Sequence, residues 1–123
     1  MTHERQKARA FGLRAESLAA LWLRLKLYRI VARNVVARGG EIDIVAHRGA
    51  TVVFVEVKAR PQVDMAREAI TAVKVARISR AARFWLSRNH WAANLIVRGD
   101  AIFISPGRPP QHVADAFTLD LFR

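Results

Sequence analysis

Apolar residues recur every three or four positions over residues 5–27, at Ala8, Phe11, Ala15, Leu18, Trp22 and Leu25. That period predicts an amphipathic helix. Gly12 interrupts it, as a break or as a point of close packing. The pattern then shortens toward a period of two. Residues 28–36, 41–46 and 51–58 read as strands, with Gly39–Gly40 as punctuation and 47–50 as the turn of an antiparallel hairpin. Pro61 ends the third strand, because it cannot donate to a ladder. A second helix is predicted over 66–88, with Ala69, Val73, Ala76, Ala81 and Phe84 as its stripe, Trp85 alongside and Asn89 as its stop. Residues 93–98 and 101–105 read as two further strands turning at Gly99–Asp100, and 112–117 as a last short strand. Trp22 and Trp85 read as core or contact residues rather than base-stacking ones.

This order predicts one α/β domain over residues 1–123, a central mixed sheet flanked by helices. Side chains alternate between the faces of a strand. Val53, Val55 and Val57 share one face of the third strand, and Val52, Phe54, Glu56 and Lys58 the other. In the second strand Ile42 and Ile44 share a face, with Asp43 opposite.

Composition adds compartment and partner. Hydrophobic residues make up 52% of the 123 positions, enough for a core. The absence of cysteine excludes a disulfide framework and thiolate metal sites, and it fits a cytoplasmic location. No uncharged apolar run reaches about 18 residues, so no stable membrane association is expected. The basic, leucine-rich stretch 18–30 leaves a surface-lying helix as a minor alternative. Formal net charge is +11. The first 40 residues hold nine Lys/Arg against two Glu, while five of the ten acids fall in residues 41–80. Such an excess points to nucleic acid.

Asp43, Glu56 and Lys58 are the candidate chemistry. Charges in half-buried strands need a partner or a ligand. Convergent carboxylates suit Mg²⁺ or Mn²⁺, and a neighbouring ammonium can orient a water or stabilise phosphoryl charge. On spacing alone an ordinary interstrand salt bridge, Glu56–Lys58 or Asp43–Lys58, is the better reading, because E-x-K occurs often by chance. Glu16 borders the first helix's stripe, and Gly12, Ala19 and Ala20 leave room for it to approach a sheet. Lys74 either contacts a phosphate or lies in solvent. Arg9 and Arg14, with Arg5 and Lys7, are placed to track a phosphate backbone, as are Arg77, Arg80 and Arg83. The four histidines have no metal-ligand spacing, and no P-loop, dinucleotide fingerprint or serine elbow is present.

Gly39–Val45 (GGEIDIV) and Phe54–Arg60 (FVEVKAR) resemble the uncharacterised bacterial YraN-like or UPF0102 family. The Gly12–Glu16 helix, Asn34, Lys74 and Asp115-Ala116-Phe117 extend the resemblance over most of the chain. Through that family it is similar to the restriction-endonuclease-like superfamily, including archaeal Holliday-junction resolvases. The resemblance implies a restriction-endonuclease-like core, with Asp43 and Glu56 as metal-binding acids, Lys58 as the catalytic lysine and Glu16 as an additional acid. Val63-Asp64-Met65-Ala66 departs from the family's Phe-Gly loop. Gly99, between Arg98 and Asp100, replaces a family aromatic.

The function expected is a metal-dependent endonuclease on DNA, ahead of RNA, with branched or damaged structures as substrates. The alternative is an accessory protein that binds nucleic acid on the same fold with little or no cleavage. A homodimer would match the resolvases, which act on symmetric junctions, although the sequence itself sets no oligomeric state.

Overall fold

The computed structural model describes residues 3–59 and 70–122, with the side chains of the first helix described from Gly12 onward. Helix α1 (His3–Leu25) leads into β1 (Arg29–Ala37), β2 (Gly40–Arg48) and β3 (Thr51–Ala59). Helix α2 (Ala72–Arg88) and a 3₁₀ turn (His90–Ala92) precede β4 (Ile96–Ile104) and β5 (Gln111–Phe117). The sheet runs β1-β2-β3-β4-β5. Among the described strands only β3 and β4 pair in parallel, and α2 lies in their crossover. The result is the mixed sheet flanked by helices that the pattern predicts.

Each face of the sheet has its own core. Ile44, Ala46, Val53, Val55, Ile102 and Ile104 pack with Ala15, Ala19, Ala20 and Leu23 of α1. Val45, Val52, Phe54 and Ile42 pack with Ile78, Ala81, Ala82 and Trp85 of α2. Trp85 stands edge-on to Phe54 at 5.7 Å between ring centres. The β3 alternation is as expected. In β2 it breaks: Ile42 joins the α2 core and Ile44 the α1 core, so the expected shared face is lost at Asp43.

Four other expectations change. The buried side of α1 is its small-residue face, whereas Leu18 and Leu25 are 48% and 68% exposed. Small side chains let the helix approach a sheet already crowded with β-branched residues; Leu23 is buried with them, while Leu13, Leu18, Leu21 and Leu25 face outward. On α2 the buried positions are Ile78, Ser79, Ala81, Ala82 and Trp85, while Val73 is exposed. That helix starts after Thr71 rather than at residue 66, because the Thr71 hydroxyl accepts the Lys74 N–H and caps it. Finally, 96–104 is one strand with no turn at Gly99–Asp100. A Cβ on Gly99 would lie 2.5 Å from the Phe117 ring. Phe117 thus fills space beside β4, and the glycine serves that close approach. The readings of Pro61, Ala69 and residues 62–69 fall outside the described residues.

The end of α1 yields a stability prediction. Tyr28 N–H donates to Leu23 O and Leu27 N–H to Arg24 O, the two bonds of a Schellman cap. Its left-handed position, usually glycine, is Leu27 (φ 70°), a leucine 82% exposed. Leu27→Gly relieves the Cβ clash and sacrifices little burial. It should raise folding stability by about 1 kcal/mol, measured by urea denaturation. A fall in stability would show that Leu27 is held by something other than the cap.

Candidate functional site

The β2–β3 ladder stops at Ile44↔Val55. Beyond that pair β2 stays with β1 and β3 stays with β4. The two strands therefore fork, and the next opposed positions are Asp43 and Glu56. Asp43 Oδ2 crosses the fork to accept the Val57 N–H at 2.8 Å. The carboxylate takes the place of a ladder carbonyl, which satisfies a backbone donor that the parting strands leave without its usual partner.

Glu56 is 5% exposed and Lys58 7% exposed, on the β3 face that looks toward α2. Lys74 reaches across from the first turn of α2, its Nζ 2.9 Å from Glu56 Oε1. A cation there opposes the helix dipole, and the turn contains no acid. Burial works against the Lys74 ammonium, but Glu56 and then Asp43 outweigh it, and its pKa rises. The Lys58 side chain adjoins that of Lys74.

Glu16 arrives from the opposite layer. Its Oε1 is buried without a hydrogen-bond partner among the described residues. Burial raises the Glu16 pKa; Arg33 opposes this, and Glu41 and Glu56 add to it. Burial also pushes Asp43 up to about 7, helped by the neighbouring Glu56, Glu16 and Glu41 carboxylates and opposed by the Val57 amide. Four carboxylates, one from α1 and three from the parting strands, thus act on one another at the fork. Like charges gathered this way call for a cation or a proton.

The fork brings together five of the sequence-predicted residues: Glu16, Asp43, Glu56, Lys58 and Lys74. Arg77 borders them through a 3.8 Å contact with Glu41. Arg14 is exposed on α1, and the Arg9 side chain lies outside the described residues. Glu41 was the acid that pattern reading missed. Its signal was present, two residues before Asp43 in the same strand. Among the described residues, no three His, Asp or Glu side chains form a ready-made metal cage. The oxygen donors nevertheless suit a hard divalent ion, and the orphaned Glu16 oxygen has the character of an open ligand.

A family model, Uncharacterised protein family UPF0102, matches residues 15–104. The chain belongs to this family. Among UPF0102 proteins, one from Methylorubrum extorquens is 53% identical over 109 residues, covering 89% of this chain and 85% of its own. One from Methylocella silvestris is 52% identical over 117 residues, covering 95% and 94%. One from Paramagnetospirillum magneticum is 46% identical over 119 residues, covering 94% and 92%. In this UPF0102 chain the matched span includes all five residues of the fork and Glu41.

A second polar cluster lies on the sheet's other half. Asp100 is fully buried. Arg98 grips it with Nε at 2.8 Å and Nη2 at 2.9 Å. His112 Nε2 lies 2.7 Å from Oδ2, and the Asp115 N–H donates to Oδ1 at 3.0 Å. Arg98 also donates to Tyr28 Oη, and Lys26 Nζ lies 2.7 Å from His112 Nδ1. The cluster ties the start of β1 to β4 and β5. His112, unassigned by its spacing in the sequence, is a structural partner here. No described helix is long and apolar enough to cross a membrane.

Proposed function

We propose that this protein hydrolyses phosphodiester bonds in DNA, using Mg²⁺ or Mn²⁺ held by Asp43 and Glu56 with Glu16 as a further ligand. The observation that carries the reading is the fork: mutually repelling carboxylates from α1 and the parting strands, with two lysines beside them, in a chain of formal net charge +11. A bound divalent ion would supply a more acidic water and charge neutralisation at the phosphoryl oxygens. Lys58 orients the attacking water or stabilises the negative charge that develops on the phosphoryl group. Lys74 holds Glu56 in place and offers a second positive charge to the phosphate. The Val57 N–H fixes the rotamer of Asp43 and leaves its other oxygen for a ligand. This assignment of roles follows the restriction-endonuclease-like superfamily, with its Holliday-junction resolvases, that the sequence resembles.

The test is cleavage of linear, nicked, flapped and four-way DNA by the purified protein in Mg²⁺ or Mn²⁺. The reading expects cutting of at least one substrate, and losses on the order of 10²–10³-fold for Glu56→Gln and Lys58→Gln. Intact DNA in every lane, or undiminished cutting by both variants, would remove it. DNA binding without cleavage would favour the accessory-protein alternative, to which the Lys74–Glu56 ion pair lends support.

A further inference from the structure

We infer that Arg38, Arg80 and Arg83 form a subsite for a nucleic-acid backbone phosphate, separate from the fork. This rests on the nucleic-acid reading above and adds where the strand runs. The three arginines, with Phe84 and Ser87, line a shallow cavity of about 330 Å³ between the β1–β2 turn and α2. None of the three pairs with a carboxylate side chain among the described residues. Arg80 donates to the Gly39 carbonyl, and Arg83 donates to the Asp120 carbonyl. Both guanidiniums are thereby aimed by backbone, with Asp120 lining a neighbouring cavity beside them but not ion-paired to either. Arg38 lies over the Phe84 ring at 5.2 Å, and Arg88 lies near the same ring at 5.0 Å. Several guanidiniums brought together with no carboxylate among the described residues ion-paired to any of them repel one another, and an anion relieves that repulsion.

The turn supplies an independent argument. Arg38 and Gly39 are the two central residues of the β1–β2 hairpin, with φ of 56° and 75°. A type I′ turn takes Asn, Asp or Gly at these positions, because a Cβ is strained there. A long cation at Arg38 goes against the local preference. It is also the residue that reaches the cavity.

Position fits a strand that also reaches the fork. Arg80 and Arg83 follow Lys74 by six and nine residues on α2. At 1.5 Å per residue that is ~9 to ~14 Å along the helix axis. At ~3.4 Å of duplex axis per phosphate of one strand, the run, laid along that axis, covers about three to four nucleotides. Arg77, against Glu41, stands between the two sites. The ligand is therefore a phosphodiester of the same strand, a few nucleotides from the bond at Asp43 and Glu56.

The experiment measures binding of a short duplex to the full chain in EDTA, from low to physiological salt, for wild type, Arg38→Asn and Arg80→Gln/Arg83→Gln. Arg108→Gln, on the β4–β5 loop, is the control. Each subsite variant should weaken binding ~10-fold and reduce the slope of log K against log salt by ~0.9, while the control changes neither. Arg38→Asn should melt at or above the wild-type temperature, so that its weaker binding cannot be ascribed to unfolding. Unchanged affinity and slope in both variants, or no duplex binding by wild type, would overturn the inference. Displacement of duplex by inorganic phosphate at constant ionic strength, abolished in Arg80→Gln/Arg83→Gln, would make this a free-phosphate site and overturn the backbone assignment. Cleavage is scored separately. An arginine-dependent slope without cleavage supports the subsite while the nuclease reading falls, and cleavage with an unchanged slope does the reverse.

Discussion

Asp100→Asn is expected to lower folding stability by about 3–5 kcal/mol at neutral pH, the range for breaking a buried, hydrogen-bonded charge pair. Both Asp100 oxygens are used: each receives an Arg98 nitrogen, one also receives His112, and the other the Asp115 amide. An asparagine offers one oxygen and turns its NH₂ toward donors. Arg98 would then keep its charge beside a neutral group. Burial alone would raise the Asp100 pKa, but the hydrogen bonds from His112, Arg98 and the Asp115 amide outweigh it and lower it to about 2. Because the folded pKa lies below the ordinary value of 3.8, this stabilisation is complete above that value and is lost as pH falls through about 2. Urea denaturation should therefore show a large gap between wild type and variant at pH 7, narrowing in acid. A gap under about 1 kcal/mol at pH 7 would mean the cluster is peripheral to stability.

Asp43→Asn should act in the opposite direction. The Asp43 pKa is raised from 3.8 to about 7, so the folded protein retains a proton that the unfolded chain releases between those values. Stability contributed at this position is therefore greatest in mild acid and falls as pH rises toward 7. Asparagine removes the charge and keeps an acceptor for the Val57 N–H. At pH 8 the variant should be more stable than wild type by about 2–4 kcal/mol, the shift converted at ~1.4 kcal/mol per unit and reduced for solvent near the half-buried site. Near pH 4 the difference should vanish. If the proposed function is right, the same change abolishes cleavage. A variant more stable yet inactive is the mark of a position kept for chemistry at the expense of the fold. A variant equal to or weaker than wild type at pH 8 would show that the acids at the fork are not in conflict.

Much of this arrangement was legible in the residues because strand alternation is strict where a ladder is continuous. Val53 and Val55 face α1, while Val52, Phe54, Glu56 and Lys58 share the other face, as a period of two requires. It failed where the ladder itself fails. The strands part at Ile44↔Val55, and Ile42 and Ile44 then enter different cores. No local pattern announces such a fork, since it is a property of two strands together. The α1 stripe misled for a related reason. Hydrophobicity favours Leu18 and Leu25, but packing distance to the sheet favours Ala15 and Ala19. Gly99–Asp100 looked like a turn because both residues suit one. Phe117 and Arg98, distant or unremarked in a window of ten residues, explain the glycine and the buried acid instead. The Asp43–Glu56–Lys58 spacing together with the family resemblance nominated the candidate site, but the conflict among Glu16, Glu41, Asp43 and Glu56 required the fold.

The central claim is that these carboxylates are gathered to hold a divalent cation, and Mn²⁺ titration calorimetry at pH 6.5 in buffers of different ionisation enthalpy tests it most directly. With the Asp43 pKa raised to about 7, binding should release a substantial fraction of a proton per ion as the protonated form is displaced. The release should disappear in Asp43→Asn. Absence of Mn²⁺ binding by wild type, or binding with no proton release and no dependence on Asp43, would contradict the account.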